Sequence, residues 1–268
     1  KVRSYTGTLP FRDAPETIAD ARLSFTEGAP ALQVAQTKGG SVYRDAFRQG
    51  AILVPRMLWF VDRKPSGRLG ADPSAPLVVS RRSPLEKKPW RDTGGVENKA
   101  DVEFLRPALL GESIVPYRVM RVFEAVIPVT EHGVVLNAEA AAICGLSDLH
   151  GWLSKAEGIW KQHNKSNRTL VGQLNYINQL SAQFPINPLR VVYAKAGSQP
   201  TACLLRDKRS VIDHKLYWMT TSSEAEARYL TAILNSETGR ARAEQYQSRG
   251  QFGARDFDKV IFNLPIPR

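Results

Sequence analysis

The apolar positions in the first half of the chain fall into runs that predict strands. Residues 51–61 are almost uniformly apolar and predict a buried strand, which Pro55 would interrupt at a sheet edge or a bulge. Residues 113–129 carry apolar side chains on both alternating faces, as a strand that is covered on both sides does. The shorter runs 132–137 and 140–144 predict two more strands nearby.

The spacing changes to a helical period after Ser147, which we predict to be an N-cap. The apolar positions of this first helix are Leu149, Trp152, Leu153, Ala156 and Trp160. Those of a second predicted helix are Leu170, Leu174, Ile177 and Leu180. The second helix is expected to end at Phe184 because a proline follows it.

Strands and helices return in the last eighty residues. Runs 189–195, 201–205 and 211–219 predict strands, and residues 258–267 predict a closing strand. Ser223 and Glu226 have the spacing of a capping box at the start of a third helix, and residues 240–247 predict a fourth.

This order of elements is not the regular strand–helix alternation of a doubly wound sheet. It predicts an α+β fold with mixed, largely antiparallel sheets, an inserted helical pair and a helix–loop–strand C-terminus. Residues 1–42 are predicted to be a linker or lead-in segment, and residues 43–268 one domain with a helical subregion at 147–185. The long polar segment 63–101 predicts a loop that is either functional or disordered.

The net charge of the chain indicates which kind of molecule it binds. Lysine and arginine total 37 against 26 acidic residues, which gives a formal net charge of +11 and a pI near 9.8. A folded domain with this balance favours a polyanionic partner. The two cysteines, Cys144 and Cys203, lie in apolar surroundings and predict buried free thiols in a reducing cytoplasm.

The sequence carries no strong catalytic signature. The four histidines lack the paired spacing of a zinc site, and neither a phosphate-binding glycine loop nor a nucleophile elbow is found. An acidic residue stands two positions before a lysine four times, a spacing that metal-dependent nucleases use. These pairs are Asp62–Lys64, Glu86–Lys88, Glu97–Lys99 and Asp213–Lys215. Only the last of them lies in a predicted strand, so a nuclease is the least favoured reading.

The most distinctive pattern lies near the C-terminus, where LYWMTTSSEAEARYLTAILNS is followed by RGQFGARDFDKVIFNLPIP. It resembles the C-terminal target-recognition (specificity) domain of N6-adenine DNA methyltransferases of restriction–modification systems, including the fused restriction–methylation enzymes. The segments YRDAFRQGAILVPRMLWFV and LRPALLGESIVPYRV are similar to parts of the same family. The resemblance thus covers residues 40–267 and implies a domain that binds duplex DNA.

The catalytic half of that family is not recognisable in this chain. The chain contains no Pro-Pro dipeptide, and hence no [DNS]-P-P-[YF] motif, and no glycine-containing S-adenosylmethionine motif. The resemblance therefore implies a segment of a longer protein that does not methylate by itself. S-adenosylmethionine is expected in a catalytic methyltransferase domain on its N-terminal side, and no catalytic or metal-binding residue is predicted here.

Three basic clusters are the predicted DNA contacts, because basic and amide side chains on loops bind phosphates and reach base edges. They are Arg81, Arg82, Lys87, Lys88, Trp90 and Arg91; then Lys161, His163, Lys165 and Arg168; and finally Arg249, Gln251 and Arg255. Two alternatives stay open beside this reading. One is a stand-alone specificity subunit or an RNA-binding module, and the other is a metal-dependent nuclease that uses Asp213 and Lys215.

Overall fold

The computed structural model of the chain describes residues 2–6, 17–18, 24–28, 41–65, 70, 72–84, 86–197, 201–244, 257, 262 and 266–267. The chain divides into two compact units, Lys1–Gly40 and Ser41–Arg268. In the first unit, strands β1 (Val2–Thr6) and β2 (Ser24–Gly28) form an antiparallel pair. None of the helices in the described ranges is both long and apolar enough to cross a membrane.

The second unit holds the remaining strands and the helices whose bounds are given below. Its strands are β3 (Arg48–Gln49), β4 (Phe60–Arg63), β5 (Leu77–Ser80), β6 (Glu97–Lys99), β7 (Leu105–Leu109), β8 (Ile114–Val115), β9 (Arg118–Val119), β10 (Phe123–Val126), β11 (Leu189–Ala194), β12 (Ala202–Arg206), β13 (Val211–Ile212) and β14 (Leu216–Thr220). Its helices are α1 (Tyr43–Ala46), α2 (Arg56–Trp59), α3 (Ala138–Ile143), α4 (Ser147–His163), α5 (Leu170–Leu174), α6 (Glu224–Asn235) and α7 (Glu237–Glu244).

A six-stranded sheet in the order β13-β7-β10-β4-β5-β6 forms the larger half of this unit. Helix α4 packs on it with its whole apolar stripe buried, from Leu149 to Trp160. The Trp152 Nε1 atom donates a hydrogen bond of 3.1 Å to the Leu58 carbonyl, which ties the helix to the segment before β4. This packing places the C-terminal end of α4 beside the polar loop that joins β5 to β6, where Trp160 contacts Trp90.

A four-stranded sheet in the order β12-β11-β14-β3 forms the smaller half, and apolar groups cover it on both faces. One face, with Tyr193 and Tyr217, packs against helix α6. The other face, with Val192 and Trp218, packs against Leu109 at the end of β7. The small sheet therefore packs against the β7–β13 side of the large sheet through one of its two apolar faces.

These observations confirm the predicted α+β class with mixed, largely antiparallel sheets. Every pairing between the described strands is antiparallel except β13 with β7. The predicted strands over 189–195 and 201–205 are confirmed as β11 and β12, and the run 211–219 forms β13 and β14. The predicted closing strand over 258–267 lies almost entirely outside the described residues.

The prediction of a strand over residues 51–61 is wrong for its middle part. Ala51 makes only an isolated bridge, residues 56–59 form helix α2, and a strand begins at Phe60. Met57, Leu58 and Trp59 are all fully buried. The run is apolar because this helical turn is enclosed on every side. Periodicity cannot separate such a buried turn from a buried strand.

The strand predicted over residues 113–129 is three short strands. Pro116 and Tyr117, the latter with a φ of 70°, form a turn between β8 and β9, and the chain re-enters the large sheet only at Phe123. The predicted loop over 63–101 likewise contains β5 and β6.

The strand predicted over residues 140–144 is also wrong, because it forms helix α3. The Asn137 side chain caps this helix by accepting a 2.8 Å hydrogen bond from the Ala140 backbone N–H. The alanine-rich sequence that follows has high helix propensity. The run 132–137 makes only an isolated bridge between Val129 and Val135.

The helix termini correct two further predictions. Helix α4 begins at Ser147, but its Leu149 N–H donates to the Asp101 carboxylate at 2.9 Å, so a distant residue provides the cap. The second helix is shorter than predicted, since α5 ends at Leu174 and Ile177 has a φ of 44°. In contrast, Ser223 caps helix α6 as predicted, by accepting from the Glu226 N–H at 3.2 Å. The helix predicted over 240–247 begins earlier, as α7.

The two cysteines differ in environment. Cys203 lies in β12 and is fully buried, which raises the pKa of its thiol to about 12. The prediction of burial is wrong for Cys144, because it follows helix α3 at an exposed position.

Candidate nucleic-acid interface

Two of the three predicted basic clusters meet at one place on the second unit. The Trp90 ring, from the β5–β6 loop, stacks on the Trp160 ring of helix α4 with 5.3 Å between centroids and 11° between planes. The His163 ring contacts Trp90 edge-on at 5.8 Å. Trp160 Nε1 also donates to the Arg168 carbonyl at 2.8 Å, which fixes the segment after α4. An aromatic cluster therefore joins two segments that are seventy residues apart in sequence.

The β5–β6 loop is held in place by polar contacts at both of its ends. The Arg82 guanidinium donates to the carbonyls of Trp90 and Thr93. The Glu86 carboxylate accepts from the Arg56 backbone N–H at 3.0 Å, at the start of helix α2. Burial raises the pKa of Glu86, so this carboxyl is more easily protonated than an exposed one. These contacts tie the described part of the loop together and to the start of helix α2.

A groove of about 780 Å³ lies between these segments. Its basic lining side chains are Arg56, Lys87, Lys88, His163, Lys165, His214 and Lys215. Glu86 is the only acidic side chain in this lining. We call this concavity the basic groove. Its excess of cations produces a positive potential that concentrates anions.

The lysines of the basic groove differ in how far their charge is neutralised. Lys88 lies 3.4 Å from the Asp92 carboxylate. Lys87, Lys165 and Lys215 make no ion pair with any residue in the described part of the chain. Exposed ammonium groups of this kind keep their full charge for a phosphate partner.

Two smaller depressions adjoin the basic groove and extend its positive charge. The first shares Glu86 with the groove and is lined by Arg82 and Arg91. The second shares Arg56 and is lined by Arg81, Arg82 and Arg121. Arg81 is paired with Asp62 at 3.0 Å, whereas Arg121 lies over the Phe123 ring at 4.7 Å. Together the three concavities form a basic band around the β5–β6 loop.

The structure therefore sorts the predicted DNA contacts into groups. The basic groove is lined by Lys87, Lys88, Trp90, His163 and Lys165. The adjoining depressions are lined by Arg81, Arg82 and Arg91. Lys161 and Arg168 line a separate groove beside helix α3, where the Arg168 guanidinium covers the Tyr176 ring at 4.2 Å. Arg249, Gln251 and Arg255 lie outside the described residues.

Four basic-band residues were missed as contacts by the sequence analysis: Arg56, Arg121, His214 and Lys215. Arg56 and Arg121 lie inside runs that were interpreted as buried strands. Arg56 is half-buried and Arg121 is exposed, and both positions depend on the turns at Pro55 and Pro116, which the apolar pattern hides. Lys215 was noted only for its spacing from Asp213, so no local signal connected it with the loops.

Asp213 has a structural role in the observed geometry. Its side chain is fully buried, with one carboxylate oxygen 3.0 Å from the Lys215 backbone N–H and the other 3.0 Å from His214 Nδ1. The described residues contain no cluster of three potential metal ligands. The Asp213–Lys215 spacing is therefore that of a tight turn before β14.

No protein-family model matches the chain, and no curated protein matches it either.

Proposed function

We propose that this chain recognises duplex DNA as the specificity domain of an N6-adenine DNA methyltransferase, and that the basic band contacts the DNA backbone. The observation that carries the proposal is the convergence of two separate basic segments on one groove, where three lysines make no ion pair with a described residue. The similarity of the C-terminal sequence pattern to target-recognition domains supports the choice of duplex DNA as the polyanion.

The proposed mechanism divides binding from catalysis. Lys87, Lys165 and Lys215 would act as point charges on phosphates and fix the register of the duplex. Arg121 makes no ion pair with a described residue, unlike Arg81 and Arg91, and would offer a planar donor for a base edge. Adenine methylation requires the base to leave the stack. We assign that step, and the binding of S-adenosylmethionine, to a separate catalytic domain.

The aromatic geometry favours a duplex over single-stranded RNA. Single strands are bound largely by stacking of bases on aromatic side chains. One face of Trp90 is covered by Trp160, and His163 contacts its edge. The ring therefore serves chiefly to hold the loop against helix α4, which leaves the lysines as the main contacts. Likewise, the burial of Asp213 supports binding rather than hydrolysis.

The experiment is a fluorescence-anisotropy titration of labelled duplex DNA at 0.1 M salt. Replacing Lys87 and Lys165 together by alanine should weaken binding roughly tenfold or more, because two phosphate contacts are lost. Lys208→Ala is the matched control, because this exposed lysine lies outside all three concavities of the basic band. It should change the affinity by less than about twofold.

Competition with unlabelled nucleic acids separates the alternatives. Duplex DNA should displace the probe at lower concentration than single-stranded RNA of the same length. Stronger competition by the RNA would favour the RNA-binding module instead. Equal losses of affinity in the double variant and in Lys208→Ala would contradict the assignment of the groove.

A further inference from the structure

Arg106, in strand β7 of the large sheet, is a buried cation whose guanidinium makes no hydrogen bond or ion pair with the part of the chain that the structure describes. Only 8% of its surface is exposed. Within the described residues its Nε atom has no hydrogen-bond acceptor, and its guanidinium makes no ion pair. Such groups are rare because burying an unpaired charge costs several kcal/mol.

Arg190 is the other deeply buried arginine among the described residues, and its terminal nitrogens have partners although its Nε also lacks an acceptor. Arg190 donates to the Ser210 carbonyl at 2.8 Å and lies 3.5 Å from the Asp207 carboxylate. Arg106 has instead the Phe184 ring, whose centroid is 4.9 Å from its guanidinium carbon. A ring face attracts the cation but does not replace acceptors in the plane of the guanidinium fork.

A second arginine intensifies the charge at this place. Burial lowers the pKa of Arg106, and the nearby charge of Arg209 lowers it further, whereas the charges of Glu131 and Glu103 act in the opposite direction. The Arg209 guanidinium is itself held by a 2.9 Å hydrogen bond to the Leu105 carbonyl. The two cations are thus fixed near each other although they repel, which favours an anion between them.

Both arginines line a cavity of about 460 Å³ that is separate from the basic groove. Phe104, Val129, Leu136 and Leu146 provide apolar walls. The exposed side chains of Glu103 and Glu131 complete the acidic part of the lining. The cavity therefore has a cationic wall, apolar walls and two carboxylates that would repel a ligand with several negative charges.

We propose that this cavity is a binding site for a small organic anion, whose carboxylate or phosphate head contacts Arg106 and Arg209. A planar guanidinium fork matches the two oxygens of such a head group. The apolar walls select a ligand with an apolar body, and the two glutamates select against multiple negative charges. The site lies outside the basic band and does not depend on the proposed DNA contacts.

Calorimetric titration of the chain with benzoate, acetate and inorganic phosphate, at constant ionic strength, tests the site. Benzoate should bind saturably and more tightly than acetate, because its ring reaches the apolar walls. Arg106→Met should weaken benzoate binding about tenfold or more, the loss expected for a charged hydrogen bond. Glu131→Gln should strengthen it up to roughly fivefold by removing a like charge. Saturable phosphate binding with the same dependence on Arg106 would also support the site and would show that it accepts a phosphate head group.

Two controls make the outcome decisive. The double alanine variant at Lys87 and Lys165 should bind benzoate as the unaltered chain does, which separates this site from the basic groove. Arg106→Met should unfold at the same or a higher temperature without ligand, because it removes an unpaired buried charge. If that variant does not fold, Arg209→Ala, at an exposed position, should show the weakened binding. Absence of saturable binding to all three anions, or equal affinity in the arginine variants, would overturn the proposal.

Discussion

At the scale of single residues, the most important side chain of the candidate interface carries no charge. Trp90 is half-buried between Trp160 and His163, and its loop carries Lys87 and Lys88. Removing the ring takes away the contact that holds the loop on helix α4. The positions of the lysines therefore depend on a neutral residue.

Trp90→Ala should lower the free energy of unfolding by about 2 kcal/mol, less than a fully buried tryptophan would cost. It should also weaken duplex DNA binding severalfold, although the charge of the chain is unchanged. Urea unfolding and anisotropy measure the two effects. Trp90→Phe, which keeps an aromatic ring, should lose less of both. A variant as stable as the unaltered chain would show that the aromatic cluster does not anchor the loop.

The two cysteines provide a second test at this scale. Cys203 is enclosed and its pKa is raised to about 12, so it holds almost no thiolate near pH 8, whereas Cys144 is exposed. An aromatic disulfide reagent should therefore modify one thiol per folded chain quickly and both only after denaturation. Rapid modification of both thiols in the folded chain would contradict this prediction, and so would modification of neither thiol.

At the scale of elements, the turn after helix α5 contains a strained residue. Ile177 has a φ of 44°, in the left-handed region that β-branched residues disfavour, and its side chain is 70% exposed. The conformation is imposed by neighbours, since the Asn175 carboxamide oxygen accepts from the N–H groups of Leu180 and Ser181.

Ile177→Asn should therefore raise the free energy of unfolding by about 1 kcal/mol, because asparagine tolerates this backbone conformation. Ile143→Asn is a matched control at an equally exposed position in the right-handed helix α3. It should leave stability unchanged or slightly lower. If chemical unfolding shows no gain from Ile177→Asn, or the same gain from both, the strain is not real.

Whether a helix could be predicted from the sequence depended on how many residues its apolar period covers. Helix α4 was found because one face is apolar and the other is polar over seventeen residues, so its period is visible. Helix α2 and helix α3 were mistaken for strands because they are short, and four to six residues cannot distinguish a helical period from an alternating one. Their turns depend on Pro55 and Asn137.

The candidate site was predictable in its parts but not in its assembly. Composition and loop position identified Lys87, Trp90 and Lys165. Their proximity, and the addition of Arg56 and Lys215, arises from stacking of Trp90 on Trp160 across the fold. No local pattern encodes such a long-range contact, just as none marks Arg106 as unpaired.

At the scale of the whole molecule, the net charge of the chain is +11, and the described cations differ in how they are paired. Many exposed cations are paired within the chain, such as Arg63 with Glu124 and Arg206 with Glu224. In the basic groove, by contrast, Lys87, Lys165 and Lys215 make no ion pair with a described residue. The excess charge is therefore available on the surface where the two basic segments meet.

The most direct test is the dependence of duplex DNA affinity on salt. A plot of log K against log[salt] from 50 to 200 mM should be linear and steep for the unaltered chain, because each phosphate contact releases counterions. Replacing Lys87 and Lys165 by alanine should make the slope shallower by about two, one for each lost contact. An unchanged slope, or no binding to duplex DNA even at low salt, would contradict the account.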